Sequence, residues 1–179
     1  MENSTEYKAH AAAITDLFTA TFTTSEGVEE GALIGELTCR LMAETPLQDL
    51  RVFTAWNGGE LDSAIIFSRL IFESDNRTVF VLGPVAVATN RQGQNIGQRL
   101  ITHGLEALRT EGVDLVVTYG DPNFYKRIGF SAITEEDVPA PFPLQYPEGW
   151  LGQSLDDMPL TPLNGPSRCV PAFNDPVFW

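Results

Sequence analysis

A chain of 179 residues, 43% hydrophobic and 20% charged, has the length and apolar content of one folded domain, which excludes a disordered or fibrous chain. Its formal net charge of −13 argues against nucleic acid and anionic membranes as partners, and leaves room for a cationic or amine ligand. No apolar run reaches the ~18 residues that a membrane-spanning helix needs.

The first candidate helix covers residues 8–22, where Ile14, Leu17, Phe18 and Phe22 share one face. A second covers 27–43, with Val28, Leu33, Ile34, Leu37, Leu41 and Met42. Arg51 to Trp56 reads as a strand, Asn57-Gly58-Gly59 as a tight hairpin turn, and Ser63 to Phe72 as the return strand. Cys39 and Cys169 are far apart and lack CxxC spacing, so neither a disulfide framework nor a metal site is expected. The N-terminus lacks a basic-then-apolar leader pattern. These features lead to the expectation of a cytoplasmic protein.

After a turn at Asp75-Asn76-Arg77, Thr78 to Ala88 is β-branched and apolar, the pattern of a buried strand. Gly83-Pro84 interrupts it. Proline cannot donate to a sheet ladder and belongs at an edge, a bulge or a break. Either an ordinary bulge forms there, or the strand parts from its neighbour. Parting would leave backbone groups of Val85 and Val87 for an amide-rich ligand, because buried backbone groups need partners.

The run Arg91-Gln92-Gly93-Gln94-Asn95-Ile96-Gly97-Gln98-Arg99-Leu100 joins that strand to a helix-like stretch ending near Glu111. A glycine-containing turn at a strand-to-helix junction exposes N–H groups without intrahelical partners. Helix dipole and free N–H groups together suit a phosphate. The spacing is neither a P-loop nor GxGxxG. Arg91, Arg99, Lys126 and Arg127 are four of the eleven basic residues, and they cluster in sequence around this loop and the segment after the next strand. Ile96, Leu100, Ile101, Leu105 and Leu108 form an apolar stripe for core packing.

Val113 to Tyr119 is the next strand. Gly120-Asp121-Pro122-Asn123-Phe124-Tyr125-Lys126-Arg127-Ile128-Gly129-Phe130 follows. Asp121 suits a helix cap, Pro122 a first turn and Gly129 a helix stop. Nine of the twelve prolines fall between Pro139 and Pro176, so regular structure there is short. The same tail carries Phe142, Tyr146, Trp150, Leu151, Phe173, Phe178 and Trp179, too many aromatics for a disordered segment. It is expected to pack on the domain, with Trp150 to Leu155 as a late strand, walling a substrate site or forming a dimer contact.

Three segments together resemble the GNAT superfamily of N-acetyltransferases, and within it the bacterial YhbS-like branch. They are Leu82-Gly83-Pro84-Val85-Ala86-Val87, then Gln92 through Gly97, then Gly120 through Phe130. The resemblance covers about residues 50–133. It implies an α+β fold: a mixed, mostly antiparallel central sheet with helices on both faces and a splayed strand pair at the cofactor site. It divides the chain into an acetyltransferase domain over 1–138, with its cofactor core at about 78–130, and a Pro-rich extension over 139–179 on the same domain. The implied cofactor is acetyl-CoA or CoA. Val85, Ala86 and Val87 would offer backbone groups to the pantetheine arm. Gln92, Gly93, Gln94, Asn95, Ile96, Gly97 and Gln98 would hold the pyrophosphate, and Asn123, Phe124 and Lys126 would add further cofactor contacts. Asn95 stands where the family loop has a glycine, and its side chain is expected to weaken cofactor binding.

The implied reaction is direct acetyl transfer to a primary amine of a small molecule or a protein, in a ternary complex. The alternative is a non-catalytic acyl-CoA-binding sensor or adaptor. Homodimers are frequent in the family, so a homodimer is an open assembly. Tyr125 occupies the tyrosine of the Tyr-x-x-x-Gly-Phe motif and is the candidate general acid. An unperturbed tyrosine, with a pKa near ~10, stays protonated at neutral pH. Glu36, Glu60 and Glu73 are open candidates for the base, and a water chain is a further route. His10 and His103 suit surface or packing roles. Covalent catalysis by Cys39 or Cys169 would need a neighbouring base, and neither lies in a matched motif.

Overall fold

The computed structural model describes residues 1–179. Helices α1 (Ala11–Glu26) and α2 (Val28–Glu44) precede strands β2 (Leu50–Asn57), β3 (Glu60–Phe72) and β4 (Val79–Val87). A short strand β1 (Glu2–Ser4) lies before them. Helix α3 (Ile96–Thr110), strand β5 (Leu115–Tyr119) and the single turn α4 (Pro122–Tyr125) follow. Strands β6 (Ser131–Ala132), β7 (Trp150–Ser154) and β8 (Ser167–Cys169) complete the chain. The strands form one mixed sheet in the order β1-β2-β3-β4-β5-β7-β6, with β8 on β3. The fold is α+β.

Residue contacts divide the chain into two compact units. One contains 1–67 and 83–104, the other 68–82 and 105–179. Strands β3 and β4 therefore each contribute residues to both.

In the first unit, α1 ends at Thr23–Glu26 because Gly27 turns the chain with φ of 106°, a conformation that only glycine adopts easily. The helices then pack through small residues. A Cβ on Gly31 would lie 1.9 Å from Thr23 Oγ1 and 2.8 Å from the Thr19 carbonyl oxygen; on Gly35 it would lie 2.1 Å from Thr19 Oγ1. The two glycines, one turn apart, let the helix backbones approach. Helix α1 begins three residues later than the apolar spacing predicts, because Lys8–His10 form a 3-10 turn. The β2–β3 hairpin turns at Gly58 and Gly59, both with positive φ (58° and 86°), as a two-residue hairpin of primed type requires. Ile65, Ile66 and Phe67 of β3 are fully buried, and Gly104 lets α3 press on them: a Cβ there would meet the Phe67 ring at 2.7 Å.

In the second unit, β5 pairs in parallel with β4 from Val79↔Leu115 to Leu82↔Thr118, and antiparallel with β7 along its full length. The Asp114 carboxylate accepts the Thr78 N–H at 2.6 Å and aligns the start of that parallel pair. The tail is anchored by its aromatics. Trp150 and Trp179 are 0% and 2% exposed, with rings 6.1 Å apart. Their indole N–H groups donate to the carbonyls of Val138 and Phe173, as buried tryptophans require. A polar clasp adds to this. Arg77 pairs with Asp75 and donates to the carbonyls of Thr161 and Pro162, while Asp75 also accepts the Asn164 N–H.

A candidate cofactor loop and a buried tyrosine

Strand β4 loses its β5 partner at Gly83-Pro84. Its register with β5 stops at Leu82↔Thr118, which supports parting rather than an ordinary bulge. Beyond that point, in the first unit, the Ala86 carbonyl accepts from Ser63 Oγ at 2.7 Å and the Ala88 N–H donates to the Asp62 carbonyl at 2.8 Å. Both groups therefore face β3. Backbone groups alternate sides along a strand, so Val85 and Val87 turn theirs to the opposite edge. Ala86 is 1% exposed and its carbonyl is already used.

The loop that follows is braced from the strand side. Arg91 donates to both carboxylate oxygens of Asp62, at 3.1 and 3.0 Å. Asp62 is a buried acid, and a bidentate pair of this kind holds geometry as well as charge. Arg91 is thereby neutralised, so of the basic residues flanking the loop in sequence, Arg99 is the exposed one. The Gln92 side-chain amide donates to the Val87 carbonyl at 3.2 Å, tying the loop to the end of β4.

Gly93 (φ 75°) and Asn95 (φ 59°) both adopt left-handed backbone. Asparagine is among the few non-glycine residues that do so at low cost. A Cβ on Gly93 would have no neighbour within 4 Å, so the loop is open on that side. The first intrahelical bond of α3 runs from Arg99 N–H to the Asn95 carbonyl at 3.0 Å. The N–H groups of Ile96, Gly97 and Gln98 precede it and form the anion-receptive end of the helix. Gln92, Gly93, Gln94 and Asn95 are exposed, Gln98 half-buried, and Ile96 and Gly97 buried. Ile96 thus serves the core with its side chain and the loop with its N–H.

Tyr125 lies in the second unit, at the end of α4. Asp121 caps that turn by accepting the Asn123 N–H at 2.9 Å, and Gly129 (φ 94°) ends the 3-10 turn that continues it. The Tyr125 ring is 9% exposed. It sits edge-on to Phe124 and Phe130, with centroids 5.0 and 5.6 Å away. Gly120 completes the cradle, where a Cβ would lie 2.8 Å from Tyr125 Cε2. Burial pushes the phenol above its ordinary pKa; the Thr118 hydroxyl draws it back in part, and the Asp121 carboxylate adds to the rise. The group holds its proton at neutral pH. Asn123 and Lys126 are exposed and Phe124 is half-buried.

Glu36, Glu60 and Glu73 are all exposed, and no hydrogen bond singles out one of them as the base. Cys39 and Cys169 are free thiols, the first exposed and the second buried, with burial pushing the Cys169 thiol up to about 11. The sequence reading missed Asp62, Ser63 and Thr118. The first was detectable as a lone acid entering an otherwise apolar return strand. The two hydroxyls carry no sequence signal, since a buried serine or threonine in a strand reads as filler.

The acetyltransferase (GNAT) domain family model matches residues 48–132. The uncharacterized N-acetyltransferase YjhQ of Escherichia coli strain K12 is 36% identical over 117 residues, 63% of this chain and 64% of that protein. YhbS of the same strain is 29% identical over 85 residues, 48% of this chain and 51% of its own length. The matched stretch therefore spans between half and two thirds of these relatives. Among solved structures, E. coli YhbS in complex with CoA aligns with a TM-score of 0.83 at 23% identity, over 97% of this chain and 92% of that one. A GNAT family acetyltransferase from Brucella melitensis in complex with acetyl-CoA aligns with a TM-score of 0.76 at 27% identity, over 97% of each chain. Sequence and fold converge: the chain has the GNAT fold and is similar to the GNAT acetyltransferases of the YhbS-like branch.

Proposed function

We propose that this protein transfers the acetyl group of acetyl-CoA to a primary amine, by direct transfer in a ternary complex. The observation that carries the proposal is the junction after β4, where two left-handed residues, Gly93 and Asn95, open onto three helix-terminal N–H groups. That geometry fits a pyrophosphate. The N–H groups of Ile96, Gly97 and Gln98, with the backbone of Gln92 to Asn95, would hold it. Val85 and the Val87 N–H would pair with the pantetheine amides from the strand edge that faces away from β3, while the Ala86 and Val87 carbonyls keep Ser63 and Gln92 as donors. Exposed Asn123 and Lys126 and half-buried Phe124 are the further cofactor contacts that this reading assigns.

In the transfer, the amine nitrogen bonds to the acetyl carbon as the carbon–sulfur bond breaks. The amine loses a proton and the departing thiolate gains one. Tyr125 is the donor in this reading, because burial keeps its proton in place until a thiolate forms. A cytoplasmic location accords with the two free cysteines.

The second reading is a non-catalytic acyl-CoA-binding module. Asn95 at the family's glycine position and the exposure of Glu36, Glu60 and Glu73 favour it. Calorimetric titration with acetyl-CoA and with CoA tests the shared part, and micromolar binding is expected. Tyr125→Phe then separates the two readings. A large loss of kcat with CoA affinity retained supports the enzyme with Tyr125 as its acid; full kcat removes Tyr125 from that role. Tight CoA binding without acetylation of any amine in a broad panel supports the module.

A further inference from the structure

A cavity of about 310 Å³ lies within the second unit, lined by Tyr119, Gly120, Pro122, Tyr146, Glu148 and Gly149. Resting on the acetyltransferase reading above, we infer that this cavity recognises the acceptor, and that the acceptor bears a cationic group besides the amine that reacts.

The lining determines the chemistry. Two tyrosines and one carboxylate surround the space, and no basic side chain is among the lining residues. Tyrosine faces attract an ammonium through the ring quadrupole, and a carboxylate supplies the charge-assisted hydrogen bond. Glu148 is exposed, so its carboxylate is available to a ligand. An anion would meet a like charge here.

The walls are held in place. Tyr146 N–H donates to the Tyr119 hydroxyl oxygen at 2.6 Å, which leaves the Tyr119 proton free to be donated elsewhere. Gly120 N–H donates to the Gly149 carbonyl at 3.0 Å. Gly149 approaches so closely that a Cβ on it would lie 3.1 Å from the Gly120 oxygen and 3.3 Å from the Tyr119 ring. The segment carrying Tyr146 and Glu148 is thus fastened to the end of β5.

Gly120 links the cavity to the proposed proton donor: it lines the cavity, and a Cβ added to it would lie 2.8 Å from the Tyr125 ring. The attacking nitrogen must be neutral to react. A cage that favours a cation therefore suits a different nitrogen of the same molecule. The substrate class is a small aliphatic diamine, or a molecule with an equivalent distal cation.

The test compares cadaverine, hexylamine and aminocaproate as acceptors for the full chain with acetyl-CoA. Their chains are similar, and their distal groups are an ammonium, a methyl and a carboxylate. Cadaverine is expected to have the highest kcat/KM. Glu148→Gln should raise its KM about tenfold or more, the worth of one charge-assisted hydrogen bond, and leave hexylamine unchanged. Glu148→Lys should shift the preference to aminocaproate. An unchanged ratio of cadaverine to hexylamine in Glu148→Gln, with acetyl-CoA still bound, overturns the inference and leaves the acetyltransferase reading standing. If acetyl-CoA does not bind, that reading falls, and an NMR titration with cadaverine alone decides the cage. Amide shifts at Gly120 and Gly149 that disappear in Glu148→Gln support it; no shifts at millimolar cadaverine overturn it.

Discussion

Asn95 holds a left-handed backbone at φ 59°, so it meets the conformational demand of the loop without being a glycine. What it adds is a side chain on the exposed face of the loop. Asn95→Gly should therefore tighten acetyl-CoA binding in a calorimetric titration, and looser binding than the parent would refute the crowding argument. Gly120 is constrained by volume. Gly120→Ala forces the Tyr125 ring aside, because the new Cβ would sit 2.8 Å from Cε2. We expect kcat to fall at least ~10-fold, as misplacement of a reacting group by about 1 Å can cost more than that, while CoA affinity stays within about twofold, a few tenths of a kcal/mol. Unchanged kcat would show that the ring relaxes harmlessly. Sequence alone singled out Tyr125 and Asn95 as candidates because they sit in motifs. It did not reveal the Gly120 cradle, because a glycine beside a proline turn looks like loop chemistry until the ring it touches is known.

Helices α1 and α2 meet through Gly31 and Gly35, and their apolar spacing was legible in the sequence. The glycines were not, since an interior helix glycine reads only as a weak helix former. Gly31→Ala places a methyl 2.8 Å from the Thr19 carbonyl and the Thr23 nitrogen. Backbone cannot step aside as a side chain can, so the helix pair must separate, at a cost of about 1–3 kcal/mol. A thermal melt measures this, and an unchanged Tm would mean that the helices re-seat freely. The Asp75–Arg77 clasp makes a different prediction. The Arg77 guanidinium beside Asp75 holds its carboxyl well below the usual carboxylate range, and the acid is only 8% exposed. A lowered folded pKa contributes stability above the unfolded value, and that contribution is lost as pH falls through the folded one. Asp75→Asn should cost roughly 2 kcal/mol at pH 7. The gap to wild type should narrow below about pH 4, as followed by urea unfolding at several pH values. A gap that stays constant down to pH 2 would assign the loss to packing instead.

The charge of −13 acts at the scale of the whole molecule. Such a surface draws cations toward it and repels a polyphosphate, and salt weakens both effects. Raising ionic strength from ~0.02 to ~0.3 M, which shortens the screening length severalfold, should raise KM for a cationic acceptor. The association rate of CoA should hold or increase. A fall in the CoA association rate would indicate that the exposed basic residues Arg99, Lys126 and Arg127 dominate the cofactor's approach. The fold class and the strand-to-helix junction were readable from local pattern. Partner choice in the sheet was not, because β7 and β8 come from the proline-rich tail and their pairing with β5 and β3 is long-range. For the same reason the cavity around Glu148, carried on that tail, was beyond the reach of motif reading.

The two compact units are interleaved, since the chain passes from one to the other and back within β3, β4 and α3. Neither unit is a continuous string of residues. No single cut between elements can release either one intact, and expressing the stretch 48–132 alone would leave out α1 and α2 of the first unit and β7 and β8 of the second. Gene fusion and shuffling work on contiguous segments, so at this level the chain must be inherited and engineered as one piece, with new specificity entering by point changes such as those at Asn95 and Glu148.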